Sequence, residues 1–215
     1  MHENAFRAGA SLTLGALALT EEFVDSDPVT KEEYRRMATE ITRQLDTVPW
    51  LPKKVGERLI GLGGTIRNLA WIEAERVNHP LSSLHGFILS RKSVEKSIQL
   101  FRELPLDKRK KIPGLNSDRA DIILPGTMVL LAIMDRLQVE KVAISENGVR
   151  EGVFFEQFWQ HLPTPVIPDV RRFSVLNLAR NYHYEEQHAN HVRFLAGRLF
   201  DQLAPLHSYG SEKRE

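Results

Sequence analysis

The sequence predicts an α/β domain followed by a helical C-terminal extension. Three observations carry this reading. The glycine-rich turn Gly61-Leu62-Gly63-Gly64-Thr65 separates a short apolar run from a helical pattern, which makes a strand–turn–helix unit. A second short run of the buried-strand type is Lys141-Val142-Ala143-Ile144-Ser145. Beyond Pro163, Pro165 and Pro168, the best linker signal in the chain, the pattern is helical alone. The composition agrees. Of 215 residues, 42% are hydrophobic and 27% charged, close to the average soluble globular domain, which excludes wholesale disorder and collagen-like repeats. Lys plus Arg is 29 and Asp plus Glu is 28, a net charge of +1, so no basic excess exists to pair with nucleic-acid phosphates. With no Cys, disulfides, thiolate metal ligands and thiol chemistry are excluded, and a cytoplasmic location is expected.

The elements follow in chain order. Ala8 to Val24 alternates in places and reads as extended, with a turn near Gly15. The stretch resembles a secretion signal in its apolar run and in Ala16-Leu17-Ala18. Its weak positive start, its glycines and its Ser11 and Thr13 argue against that. Asp25-Ser26-Asp27-Pro28 is a turn cluster. Thr30 and Glu33 have capping-box spacing, and Tyr34, Met37, Ala38, Ile41 and Leu45 make one helical face ending near Asp46. A strand over 57–60 enters the glycine turn, and Ile66, Leu69, Ala70, Glu73 and Val77 continue as a helix. A strand is predicted over Gly86–Ser90 and a helix over Ser93–Leu104. Ser117 caps a further helix to Leu137, bent or restarted at Pro125. Its apolar run, Ile122 to Met134, is too short to span a bilayer. A strand over Lys141–Ser145 and a turn and helix over Gly148–Leu162 complete the first part. In the extension, Val192, Leu195, Ala196, Leu199, Phe200 and Leu203 form an amphipathic stripe.

Four places invite a functional reading. At Gly61, Gly63, Gly64 and Thr65 a glycine turn opens a helix, where exposed backbone N–H groups and the helix dipole favour a phosphate. The alternative is an unusual turn that serves close packing. The run Lys108-Arg109-Lys110-Lys111 reads as a solvated surface, because four adjacent residues do not share a helix face. His188 joins the apolar stripe of its helix and His191 is rotated away. With no third ligand in view, both read as structural. Ser145 to Gly152 follows a strand, where α/β proteins place ligands, or it is a capped turn; Arg119 and Asp121 form an ion pair near a helix start or a ligand contact, and the ion pair is favoured.

Five segments in order carry a family resemblance: SLTLGALALTEEF (Ser11–Phe23), GLGGTIRNLA (Gly61–Ala70), LHGFILS (Leu84–Ser90), NSDRADIILPG (Asn116–Gly126) and ISENGVREGV (Ile144–Val153). The chain resembles the exopolyphosphatase/guanosine pentaphosphate phosphatase (Ppx/GppA) family of the actin-like ATPase superfamily. The resemblance implies an actin-like (ribonuclease H-like) second lobe with a mixed sheet and flanking helices over 1–165. Over 166–215 it implies the start of an HD-like helical domain, where His188 matches the first conserved histidine. It implies removal of terminal phosphates from polyphosphate or guanosine pentaphosphate with Mg²⁺. Gly61, Gly63, Gly64 and Thr65 then face the phosphate cleft. The family's first phosphate loop, its catalytic Glu and its second loop fall before Ser11 in the family order, where only ten residues stand here. No catalytic residue and no metal ligand is therefore assigned, and the chain alone is expected to hydrolyse little. The alternatives are a non-catalytic polyphosphate- or nucleotide-binding module, or half of a split enzyme. The surface that a first lobe covers is expected to be buried by that lobe or by a second copy, with no nucleic acid or membrane as partner.

Overall fold

The computed structural model describes residues 8–51, 59–162, 169–210 and 213–214. The chain divides into two units, Met1–Phe158 and Trp159–Glu215. The boundary expected from the sequence lies among Pro163, Pro165 and Pro168, outside the described residues.

In the first unit, α1 (Ala16–Phe23) replaces the extended segment expected from the sequence. Its run Ala16-Leu17-Ala18-Leu19 and its Glu21 and Glu22 are strong helix formers, and Leu19 is buried in the common core. α2 (Lys31–Asp46) begins at the expected capping box. Glu33 N donates to Thr30 Oγ1, and Thr30 N donates back to Glu33 Oε2 at 2.7 Å. Four donors converge on this carboxylate, those of Thr30 Oγ1, Thr30 N, Asp25 N and Ser26 N. They favour the ionised form, led by the Thr30 hydroxyl, and hold Glu33 at about 2.

β1 (Leu59–Gly61) leads into α3 (Gly64–Arg76). β2 (Ile88–Ser90) leads into α4 (Arg91–Glu103), whose first turn is capped by Ser90 Oγ. The short α5 (Leu106–Arg109) corrects the reading of the basic run. Lys108, Lys110 and Lys111 are exposed, but Arg109 is buried and pairs with Asp27 Oδ1 at 2.8 Å.

A 3₁₀ turn at Ser117–Arg119 precedes α6 (Ile123–Leu137), so of the bent or restarted helix expected there the restart is found, at Ile123 and not at Pro125. Pro125 sits in the first turn of α6, where a missing N–H costs no helical bond. α6 is the centre of the core, with Ile123, Leu124, Thr127, Met128, Leu130 and Met134 buried. β3 (Lys141–Ile144) and α7 (Val149–Phe158) complete the unit. Among the described residues the sheet has three strands in the order β1-β3-β2, with β1 parallel and β2 antiparallel to β3.

The second unit contains α8 (Val170–Asn181), α9 (Glu186–Gln202) and α10 (Ala204–His207). The His207 ring lies 4.1 Å from the Phe200 ring, and Arg214 pairs with Asp201 at 2.5 Å. No described helix is long and apolar enough to cross a membrane.

Candidate functional site

The parallel register of β1 on β3, with Gly61 opposite Ile144, ends both strands at one edge of the sheet. Ser145 N donates to Gly61 O at 2.8 Å, which sets the 145–152 loop beside the glycine turn. Two segments that are some eighty positions apart in sequence thus share the carboxyl edge, where open α/β sheets hold ligands.

The glycines of the turn do different things. Gly61 is buried, and a Cβ there would lie 2.8 Å from the Ile66 side chain and 3.0 Å from that of Val142. Its bare backbone lets α3 settle against the sheet. Gly63 is exposed, with φ +99° and open space around it, a conformation that favours glycine. It turns the chain into α3, and Arg67 N donates to Gly63 O at 3.1 Å as the first helical bond. The N–H groups of Gly64, Thr65 and Ile66 have no acceptor among the described residues. They are the orphan donors of a helix start, and the dipole adds partial positive charge.

Arg119 completes the arrangement. A Cβ on Gly64 would lie 2.4 Å from Arg119 Cζ, so the guanidinium rests against the first residue of α3. The expected Arg119–Asp121 pair is absent among the described residues; Asp121 Oδ1 instead accepts from Ile122 N at the start of α6. Asn68 sets this approach. It is buried, its Nδ2 donates to Gly64 O at 2.8 Å, and its Oδ1 accepts from Asn116 N at 2.7 Å. The side chain therefore ties the first turn of α3 to the Asn116–Arg119 turn. In the sequence Arg119 stood as an ion-pair partner or a ligand contact, with the ion pair favoured, and Asn68 was not picked out. The one available signal was a polar Asn on the inward side of the α3 pattern, beside Leu69.

Thr65 turns its side chain away from the open face. A Cβ on Gly126 would lie 2.7 Å from Thr65 Oγ1, so this residue packs on α6 and contributes its backbone N–H to the turn. The neighbouring loop is a capped turn. Glu151 Oε2 accepts from Gly148 N at 2.7 Å, and that bond, with weaker help from the charges of Arg150 and Arg67, holds the Glu151 carboxyl below its usual range. Glu146 Oε2 accepts from Ser83 Oγ at 2.7 Å. Both carboxylates of this loop accept hydrogen bonds.

Other sequence candidates lie elsewhere. His188 and His191 are exposed on α9 in the second unit, so His188 is not an inward core residue. Among the described residues no three His, Asp or Glu side chains gather as a metal needs. What the site offers is three free backbone donors at a helix start and one guanidinium, the chemistry of an oxyanion receptor.

Comparison with known proteins gives one consistent answer. The sequence model of the Ppx/GppA phosphatase family matches residues 2–161. A crystal structure of the Aquifex aeolicus Ppx/GppA phosphatase, a type II variant, is 32% identical over 69% of this chain and 48% of its own, with a TM-score of 0.61. A second Aquifex aeolicus family member aligns at 31% identity over 74% of this chain and 51% of its own, with a TM-score of 0.65. An exopolyphosphatase from Cytophaga hutchinsonii shares the fold at 19% identity, with a TM-score of 0.64 over 72% of this chain and 50% of its own. The chain spans about half the length of the solved structures it matches.

Proposed function

We propose a function from the premise that this chain belongs to the Ppx/GppA phosphatase family. It holds the terminal phosphates of polyphosphate or guanosine pentaphosphate for hydrolysis of a phosphoanhydride bond. The observation that carries the reading is the open first turn of α3, with unbonded N–H groups at Gly64, Thr65 and Ile66 and the Arg119 guanidinium against it. Backbone donors of this kind hold phosphoryl oxygens without reorganising, and the guanidinium offsets their charge.

Attack on a phosphoanhydride also needs a base to activate water. Two carboxylates of the neighbouring loop, Glu146 and Glu151, accept hydrogen bonds from Ser83 and from Gly148. This reading takes the base to be the family's catalytic Glu, whose place in the family order is before Ser11, and loss of such a base lowers rates by about 10²–10⁴-fold. Binding with little turnover is expected of this chain by itself. That expectation also fits a second reading, a polyphosphate- or nucleotide-binding module without catalysis.

The test is calorimetric titration of polyphosphate and of guanosine pentaphosphate into the wild type, Arg119→Gln and Gly64→Val. Removing one charge-assisted contact costs about 1.5–3 kcal/mol. Arg119→Gln is therefore expected to bind about tenfold more weakly or worse. A side chain on Gly64 displaces the guanidinium and lowers affinity as well. Equal affinity in all three proteins refutes the site. Phosphate release, assayed with and without Mg²⁺, separates the readings: vigorous release by the purified chain contradicts the expectation that it lacks its base.

A further inference from the structure

A second cleft opens in the first unit, where α2, α4 and α6 meet, with a volume of about 610 Å³. It shares no residue with the glycine turn. Its apolar wall is Val29, Ile98 and Leu131. Arg102 of α4 lies over the Tyr34 ring of α2, with Cζ 4.1 Å from the ring centroid. That contact uses the flat face of the guanidinium and leaves its edge for an acceptor.

The charges in the cleft are unevenly satisfied. Arg102 is half-buried, its Nε is shielded from solvent with no hydrogen-bond partner, and no described group accepts from its terminal nitrogens. Lys31, in the first turn of α2, lines the same cleft and has no ion pair among the described residues. The carboxylates on the rim are engaged. Arg91 Nη1 donates to Glu95 Oε1 at 2.5 Å, and Gln99 Nε2 donates to Glu103 Oε1 at 3.0 Å. A half-buried guanidinium without an acceptor is costly, because donors lost to water are not repaid. The volume lies within the usual range for small-molecule sites.

The geometry points to a second ligand site that takes a small organic anion. Its carboxylate or phosphate head meets Arg102 and Lys31, and its compact apolar body lies on Val29, Ile98 and Leu131. Arg102 supplies the fork-shaped donor edge and Lys31 a point charge.

The test titrates benzoate, phenyl phosphate and inorganic phosphate separately into the isotope-labelled full chain and follows backbone amide shifts by NMR. Saturable shifts at Lys31, Gln99 and Arg102 are expected with benzoate, phenyl phosphate or both, and whichever binds tighter identifies the head group. Inorganic phosphate, which lacks the apolar body, binds more weakly. Arg102→Gln is expected to weaken binding at least tenfold and Lys31→Gln several-fold, while Arg119→Gln leaves it unchanged. Leu131→Trp fills the cleft and abolishes binding with both cations still present, which covers the case of an Arg102 variant that does not fold. The proposal is overturned if no probe saturates at millimolar concentration, if Arg102→Gln binds like the wild type, or if the shifts gather at residues 63–66.

Discussion

α2 and α9 carry the same kind of apolar stripe, and the molecule treats them in opposite ways. In α2, Met37, Ile41 and Leu45 are almost wholly buried in the first unit's core. In α9, Leu195 is 50% and Leu199 56% exposed, and no described residue of the second unit is buried. Periodicity makes a helix in both places. Burial needs a partner surface, which α6 supplies to α2. The comparison teaches that an amphipathic stripe specifies a helix and the direction in which it wants to pack, and leaves open whether anything covers it.

The largest expected effect that tests this contrast pairs Phe101→Ala with Leu199→Ala. Phe101 is fully buried, and its truncation is expected to cost about 3–5 kcal/mol in denaturant unfolding. Leu199→Ala is expected to stay within about 0.5 kcal/mol. A large loss at Leu199 that grows with protein concentration shows instead that a second copy covers the α9 stripe.

Next in size is the Thr30–Glu33 cap. Glu33→Gln is expected to cost roughly 1–3 kcal/mol near neutral pH, because the replacement side chain cannot accept the same four donors as a charge. The pH dependence has a definite sign. The folded Glu33 pKa lies at about 2, below the ordinary 4.5, so its contribution is complete above the ordinary value and is lost as pH falls towards the folded one. The wild-type advantage over Glu33→Gln should hold steady from pH 7 to about 5, shrink below about 4.5, and vanish near pH 2. An advantage that does not change with pH means the carboxylate is not the source of the stability.

The smallest effect concerns the matching cap of the second unit. Asp169 accepts from Arg172 N at 2.9 Å at the start of α8. Asp169→Ala is expected to cost about 0.5–1 kcal/mol, read as a small loss of helical circular dichroism on heating. A loss as large as that of the Glu33 variant would show that α8 is held by more packing than its exposure indicates.

Local signals accounted for much of the architecture. The capping box, the α2 stripe, the strand–turn–helix at Gly61–Thr65 and the strand at Lys141–Ile144 all depend on residues within a turn of one another, and all were legible. α1 was misread because the strand-like alternation at Ser11 and Thr13 was carried on into Ala16–Phe23, a run rich in strong helix formers whose Leu19 is buried in the core. Arg109 was read as surface because its partner, Asp27, lies 82 residues away. The site shows the same division. The glycines were visible in the sequence, whereas Arg119 and Asn68 became part of the site only when the Asn116–Arg119 turn met α3.

By itself, then, the sequence determined most of the helices and strands, the Thr30–Glu33 cap and the unusual glycine backbone at 63. Each is written in spacings of a few residues, the range over which backbone hydrogen bonds and side-chain periodicity act. Tertiary structure decided which cation stands against the glycine turn, which basic residue is buried and which apolar stripe is covered. Those outcomes depend on groups brought together from dozens of residues apart, where packing of the whole core sets the distance and no local pattern records it.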